Sequence, residues 1–286
     1  MPSLANHQSN DFVKILLIGN AMSGKTGSLT SLVKAGYKLR ILDYDNKLDV
    51  LKYFILHECP ELISNVESRT VRDKLKAGVA GAIIDGKPKA WIDGIKMCDN
   101  WKYTEDGVEI DLGRPAEWGP DCILVIDSLS RMCDAAYDFH ESITPRGKSG
   151  DYDGRAVYGS AQDDVEKFIA MLTSSGMQTN VIVNAHVTFQ AQPDGTVKGF
   201  PQGVGQKLSP KIPQYFPSAV LYENKSNKRT IRTTSSPLMD LANPAPFAMA
   251  PTYPIETGLA DFFAVLRSPP KKEAQEKPKS LTLRRA

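Results

Sequence analysis

The sequence predicts an α/β fold, a mostly parallel sheet flanked by helices with a β-hairpin towards its C-terminus. Three observations carry this. Short, predominantly apolar runs at residues 12–18, 122–126 and 181–183 have the length and aliphatic content of strands buried on both faces. Stretches with apolar residues at helical spacing lie between them. Each run then gives way to glycine or polar residues at its C-terminal end, the edge where parallel sheets bind ligands.

Taken in order, residues 1–10 are polar and expected to be disordered. The strand at 12–18 ends on Gly19, and a helix is expected from Gly24 to about Lys34, stopped by Gly36 in the left-handed position past a helix end. Residues 38–42 read as the next strand, and 48–55 as a helix with Leu48, Leu51, Phe54 and Ile55 on one side. Within 61–119, residues 89–97 read as a helix and 101–112 as a hairpin turning at Asp106-Gly107, a pair favoured in type I′ turns. Cys122-Ile123-Leu124-Val125-Ile126-Asp127 is a strand ending in a carboxylate. Residues 137–159, with Gly147, Gly150, Gly154 and Gly159, read as a mobile loop. A helix at 161–172 presents Val165, Phe168, Ile169 and Leu172, and a strand follows at 181–186. Residues 188–217, rich in Gly, Pro, Gln and Lys, read as a second long loop. Segments 219–223 and 230–233 form the hairpin, and 259–266 the last helix. The expected organisation is therefore one domain over 11–268 with a disordered basic tail at 269–286.

Composition narrows the classes. The 286 residues are 41% hydrophobic and 24% charged, enough to build a core without disulfides or a structural metal. A net charge of +2 is too small to announce a polyanion partner, so nucleic-acid binding requires local clusters. Cys59, Cys98, Cys122 and Cys133 show no CxxC spacing, which argues against zinc. There is no signal-peptide pattern and no apolar run long enough to span a bilayer, so a cytoplasmic protein with no membrane partner is expected.

Gly19-Asn20-Ala21-Met22-Ser23-Gly24-Lys25-Thr26 has the spacing G-x4-G-K-[ST] between a strand and a helix. Its glycines let successive backbone N–H groups point inward at phosphate oxygens, and the helix N-terminus adds a favourable dipole. With Gly27 these residues are the expected cradle for ATP and Mg²⁺, Lys25 reaching the β- and γ-phosphates and Thr26 ligating the metal. An ordinary glycine-rich turn is the alternative, and the strand–loop–helix context weighs against it. Asp127 suits the second Mg²⁺ residue, though alone it could equally cap the next helix. Asp43 or Asp45 could polarise the attacking water, Asp45 being the expected base, and only one of them is expected to face the nucleotide. Turn formation competes for both. His186 at a strand exit reads either as a structural histidine or as a sensor beside the γ-phosphate.

In this arrangement the chain resembles the RecA-like ATPases. The resemblance rests on the P-loop, Ile41-Leu42-Asp43-Tyr44-Asp45, Leu124-Val125-Ile126-Asp127-Ser128-Leu129, and a further strand ending in Asn184-Ala185-His186 before a long loop. The chain looks most like the phage-encoded single-domain members that assist single-strand annealing in recombination, and Asp111-Leu112-Gly113-Arg114-Pro115-Ala116-Glu117-Trp118-Gly119 shares that look. Such a resemblance implies a γ-phosphate sensor at the strand end, and loops after the last two strands that line a channel for single-stranded DNA. It also implies a homo-oligomer, ring or filament, with ATP at subunit interfaces, and a single-strand annealing or single-strand-binding protein as a candidate partner. The departures are Asp45 where RecA proteins carry glutamate, and His186 where they carry glutamine. On this reading Arg146, Lys148 and Arg155, near Tyr152 and Tyr158, and then Lys198, Phe200, Lys207 and Lys211, are the DNA-binding candidates. Basic residues interleaved with aromatics suit single strands, and a solvated surface is the alternative. Lys271, Lys272, Lys277, Lys279, Arg284 and Arg285 could tether nucleic acid or merely solubilise the tail. Lys225, Lys228 and Arg229 are candidates for a basic residue completing a neighbour's site in trans. A helicase or packaging-motor subunit, and a small-molecule or nucleotide kinase, stay open. The kinase is disfavoured because lids need several arginines and the second loop has none.

Overall fold

Burial alternates between two cores along strand β1 (Lys14–Gly19): Ile15 and Leu17 join one, Leu16 and Ile18 the other. This two-sided burial is that of a central strand covered by helices on both faces. The computed structural model describes residues 12–147, 153–226 and 228–267. After β1 come α1 (Lys25–Lys34), β2 (Lys38–Asp43), α2 (Asp49–Glu58) and β3 (Val66–Thr70). Two small hairpins, β4 (Leu75–Gly78) with β5 (Gly81–Ile84) and, after α3 (Ala90–Asp99), β6 (Lys102–Glu105) with β7 (Val108–Asp111), precede β8 (Gly119–Asp127). Helices α4 (Leu129–Ile143) and α5 (Gly154–Thr173) lead to β9 (Thr179–Ala185), the hairpin β10 (Val187–Ala191) with β11 (Val197–Pro201), and short α6 (Gly205–Leu208). The chain closes with β12 (Ser218–Lys225), β13 (Lys228–Arg232), β14 (Thr252–Pro254) and α7 (Gly258–Arg267).

The main sheet has eight strands in the order β14-β13-β12-β1-β9-β8-β2-β3. From β12 to β3 every pairing is parallel, and β13 and β14 extend the sheet antiparallel. This is the mostly parallel, helix-flanked sheet the sequence predicts, C-terminal hairpin included. Helices α1, α2 and α7 bury Leu29, Leu32, Ile55, Phe262 and Phe263 on one face; α3, α4 and α5 bury Trp91, Met132, Val165 and Phe168 on the other. Gly36 lies past α1 at φ 91°, and Asp106 and Gly107 turn the β6–β7 hairpin with φ 49° and 80°, as expected.

Both expected loops are corrected. Residues 137–143 and 154–159 are helical: Met132, Cys133, Ala136 and His140 give α4 a buried stripe at helical spacing that carries it to Ile143. Asp153 then caps α5 by accepting from the backbone N–H groups of Arg155 and Ala156. Residues 188–217 fold into β10, β11, α6 and a 3₁₀ turn at Ile212–Tyr215. Val204, Leu208, Ile212 and Phe216 anchor this segment in the core beside α5. The expected disordered ends, residues 1–10 and 269–286, lie outside the described residues, as do Lys148 and Tyr152. Among the described residues no helix is long and apolar enough to cross a membrane.

Candidate active site

The parallel strands β1, β9, β8 and β2 are consecutive neighbours, so their C-terminal ends bring Gly19, Asn184, His186, Asp127, Asp43 and Asp45 to one edge. The loop after β1 demands glycine at Gly24, which sits at φ 99°, where a Cβ would lie 2.3 Å from Ile255 Cδ1. Helix α1 starts at Lys25 with no side-chain cap and no acidic residue in its first turn. Its N–H donors and positive dipole end are left for an anion. Lys25 is buried, its Nζ donating to the carbonyls of Gly19 (2.8 Å) and Asn20 (3.0 Å). Burial pulls its pKa down to about 8, against the opposing pull of Asp127 and Asp45.

Thr26 Oγ1 donates to Asp127 Oδ2 at 2.7 Å. Burial pushes the Asp127 carboxyl above its usual range, with Asn184 and Thr26 working the other way. Asn184 stands opposite Asp127 in the β8–β9 register and is fully buried, yet neither its amide nitrogen nor its oxygen makes a hydrogen bond of ordinary geometry. Its amide lies close enough to Asp127 to help hold that carboxyl down, and its remaining hydrogen-bonding capacity suits a water or ligand at this edge. A hydroxyl and a carboxylate are hard oxygen donors that fit Mg²⁺. Among the described residues no three His, Cys, Asp or Glu side chains cluster as a metal cage. An ion at Thr26 and Asp127 would thus take its remaining ligands from phosphate and water, as Mg²⁺ does.

The structure separates the two aspartates at the end of β2. Asp43 is buried and its Oδ1 accepts from the backbone N–H of Asn46 at 2.6 Å, a turn-forming role, while burial pushes its pKa up to about 6. Asp45 faces the other strand ends: Oδ1 accepts from Ser128 Oγ at 3.0 Å and lies 3.9 Å from Arg131 Nε, and Oδ2 lies 3.6 Å from His186 Nε2. Burial would raise this carboxyl, but His186 and Ser128 outweigh it and hold it below its usual range. Lys25, Thr26, Asp127, Asp45 and His186 thus meet at one edge, and Asp43 does not share their contacts. Sequence reasoning assigned nothing to Ser128 or Arg131. Ser128 directly follows Asp127, but Arg131 sits on a helix the sequence did not announce.

The outer candidates are scattered. Lys198 pairs with Asp240 at 2.8 Å and Lys211 with Glu166 at 3.1 Å, whereas Arg155 and Lys207 are exposed and make no ion pair among the described residues. Arg146 is exposed in the α4–α5 connection, and Phe200 is half-buried on β11. On the late hairpin, Lys225 pairs with Glu223 at 3.3 Å and stands opposite Lys228. Arg229 leans on the P-loop of its own chain: a Cβ on Gly24 would lie 3.3 Å from Arg229 Cδ. A cavity of about 520 Å³ opens beside Asn20 and Ala21, walled by Val187, Phe189, Leu221 and Met239 with Glu223 and Arg232. Neither Lys25, Thr26 nor Asp127 lines it.

A family model described as an AAA domain matches residues 11–241. No curated protein matches the chain. Among solved structures it is similar to the crystal structure of the RadB recombinase, with a TM-score of 0.42 and 14% identity over 86% of this chain and 89% of that one.

Proposed function

The chain belongs to the AAA-domain family, and we propose that it hydrolyses Mg·ATP at residues 19–27 to act on single-stranded DNA in recombination or annealing of the phage type. The observation that carries the ATP site is the Thr26–Asp127 contact beneath an uncapped helix N-terminus, with the buried Asn184 amide beside it. Lys25 exchanges the carbonyls of Gly19 and Asn20 for β- and γ-phosphate oxygens. Mg²⁺ held by Thr26 and Asp127 would supply neutralisation of the charge on those oxygens. Asp45, kept ionised and oriented by Ser128 and His186, accepts the proton of the water that attacks the γ-phosphorus, and ADP leaves.

The DNA reading is supported by connectivity. Hairpin β10–β11 begins directly after His186, the His186 carbonyl accepts from Gln202 N at 2.8 Å, and Ser130 Oγ bonds both His186 N and the Gln202 carbonyl. The γ-phosphate end and the base of the hairpin thus share one hydrogen-bonded frame, a route by which ATP would tighten DNA binding, and DNA would tighten ATP binding by the same factor. The working form on this reading is a homo-oligomer, ring or filament, cooperating with an annealing or single-strand-binding protein. One observation favours the kinase instead: the cavity beside Asn20 and Ala21 is large enough for a small phosphate acceptor.

Turnover with single-stranded DNA, and with small acceptors, separates the two readings. Stimulation by DNA is expected, with binding whose log–log salt slope is roughly 0.7 per phosphate neutralised. Because Lys198 and Lys211 already have carboxylate partners, Lys207→Ala is expected to flatten the slope more than either. Absence of affinity for single strands in low salt, with and without ATP, removes the DNA reading and puts the kinase first.

A further inference from the structure

The antiparallel extension of the sheet does more than finish an edge. Strand β13 is separated from β1 by β12, and with the segment after β14 it places Arg229 and Ile255 against Gly24, the residue directly before Lys25. The position of a Gly24 Cβ would be 2.3 Å from Ile255 Cδ1 and 3.3 Å from Arg229 Cδ. Arg229 is exposed and makes no ion pair among the described residues. Of the basic residues on the same hairpin, Lys225 and Arg232 share Glu223 at 3.3 and 3.7 Å, while Lys228, like Arg229, is exposed with no ion pair among the described residues. A guanidinium without an ion pair among the described residues therefore stands at the rim of the glycine-rich loop, two bonds beyond a Cδ that packs towards Gly24.

We propose that Arg229 binds the polyphosphate held by the P-loop of its own subunit, acting in cis rather than completing a neighbour's site. This rests on the ATP-site reading above. The planar fork of arginine matches two phosphate oxygens at once, and contact through the stem fixes where the fork can reach. The cation is then present in every subunit, so its contribution to ATP affinity does not depend on assembly.

The test uses Arg229→Gln in the full-length chain, with ATP binding measured at protein concentrations from dilute to assembled. ATP affinity is expected to fall about tenfold, by the same factor at every concentration, with Arg229→Lys recovering part of it. Mixing Arg229→Gln subunits with Lys25→Ala subunits, which still carry Arg229, is expected to restore no turnover. Restored turnover, or a loss of affinity confined to assembled protein, shows action in trans and overturns the proposal. Unchanged affinity in Arg229→Gln overturns it too, and leaves the ATP-site reading standing if Lys25→Ala loses binding. If the unaltered protein binds no ATP, the ATP-site reading itself has failed.

Discussion

Two buried lysines flank β1, Lys14 at its start and Lys25 just past its end, and they have opposite characters. Lys14 Nζ donates to the carbonyls of Met177 (2.6 Å) and Thr179, partners supplied by β9 and the turn before it, far away in sequence. Lys25 Nζ donates to carbonyls of its own loop, with Asp127 and Asp45 in its field. Removing Lys14 would take its amine from the carbonyls of Met177 and Thr179, whereas on the proposed reading Lys25 trades its contacts for phosphate oxygens on the same loop. On that reading, the amine at the N-terminal edge of the sheet ties strands together and the one at the C-terminal edge, where parallel sheets bind ligands, is held for phosphate.

Removing each amine is the sharpest way to break this comparison. Lys25→Ala is expected to lower ATP turnover about a thousandfold with little change in melting temperature, since the phosphate loses its charged partner and the fold loses only local contacts. Lys14→Ala is expected to do the reverse, costing about 1–3 kcal/mol through orphaned carbonyls while turnover per folded molecule stays near normal. Melting curves and steady-state turnover on both variants check this. Normal turnover in a folded Lys25→Ala protein would refute its role.

The next effect separates the carboxylates around Lys25. Asp45→Asn is expected to bind Mg·ATP almost normally and hydrolyse it about a hundredfold more slowly, as loss of a proton acceptor costs roughly that much. Asp127→Asn should instead raise the Mg²⁺ concentration needed for nucleotide binding. Asp43→Asn should change turnover by less than about threefold, because an amide oxygen can still accept from Asn46 N. A slow Asp43→Asn enzyme with a normal Asp45→Asn would move the base to Asp43.

The central sheet and the P-loop were legible because both depend on local pattern. Strands β1, β8 and β9 are apolar runs, and each polar exit directly follows its run. The pairing of Asp45 with His186 was not legible, since it needs β2 and β9 brought close through β8. Helix α4 was hidden because its buried stripe is built from Met132, Cys133, Ala136 and His140 rather than large aliphatics. Gly154 opens α5 and drew attention from the Asp153 cap beside it. Residues 188–217 looked like loop through their glycines and prolines, but distant residues order them. Met239 packs onto Gly199, whose N–H donates to the Leu238 carbonyl at 2.7 Å. Local composition carries none of these contacts.

The smallest expected effect turns the same comparison into a pH experiment on Lys14. Burial lowers its pKa from 10.5 to about 7, so between those values the unfolded chain holds one proton more than the folded one. Stability must then rise with pH across this window, by up to about 1.4 kcal/mol per pH unit, and be lowest below pH 7, where both states carry the proton. Other groups titrate in the same range, so the quantity to measure is a difference. Lys14→Met keeps most of the apolar stem and removes the titrating amine, and its own stability lacks this slope. Denaturant unfolding of both proteins from pH 6.5 to 9 is expected to show the unaltered chain gaining about 2 kcal/mol on Lys14→Met. A constant difference across that range would mean that the carbonyls of Met177 and Thr179 keep the amine charged despite its burial, making Lys14 a fixed ammonium tie.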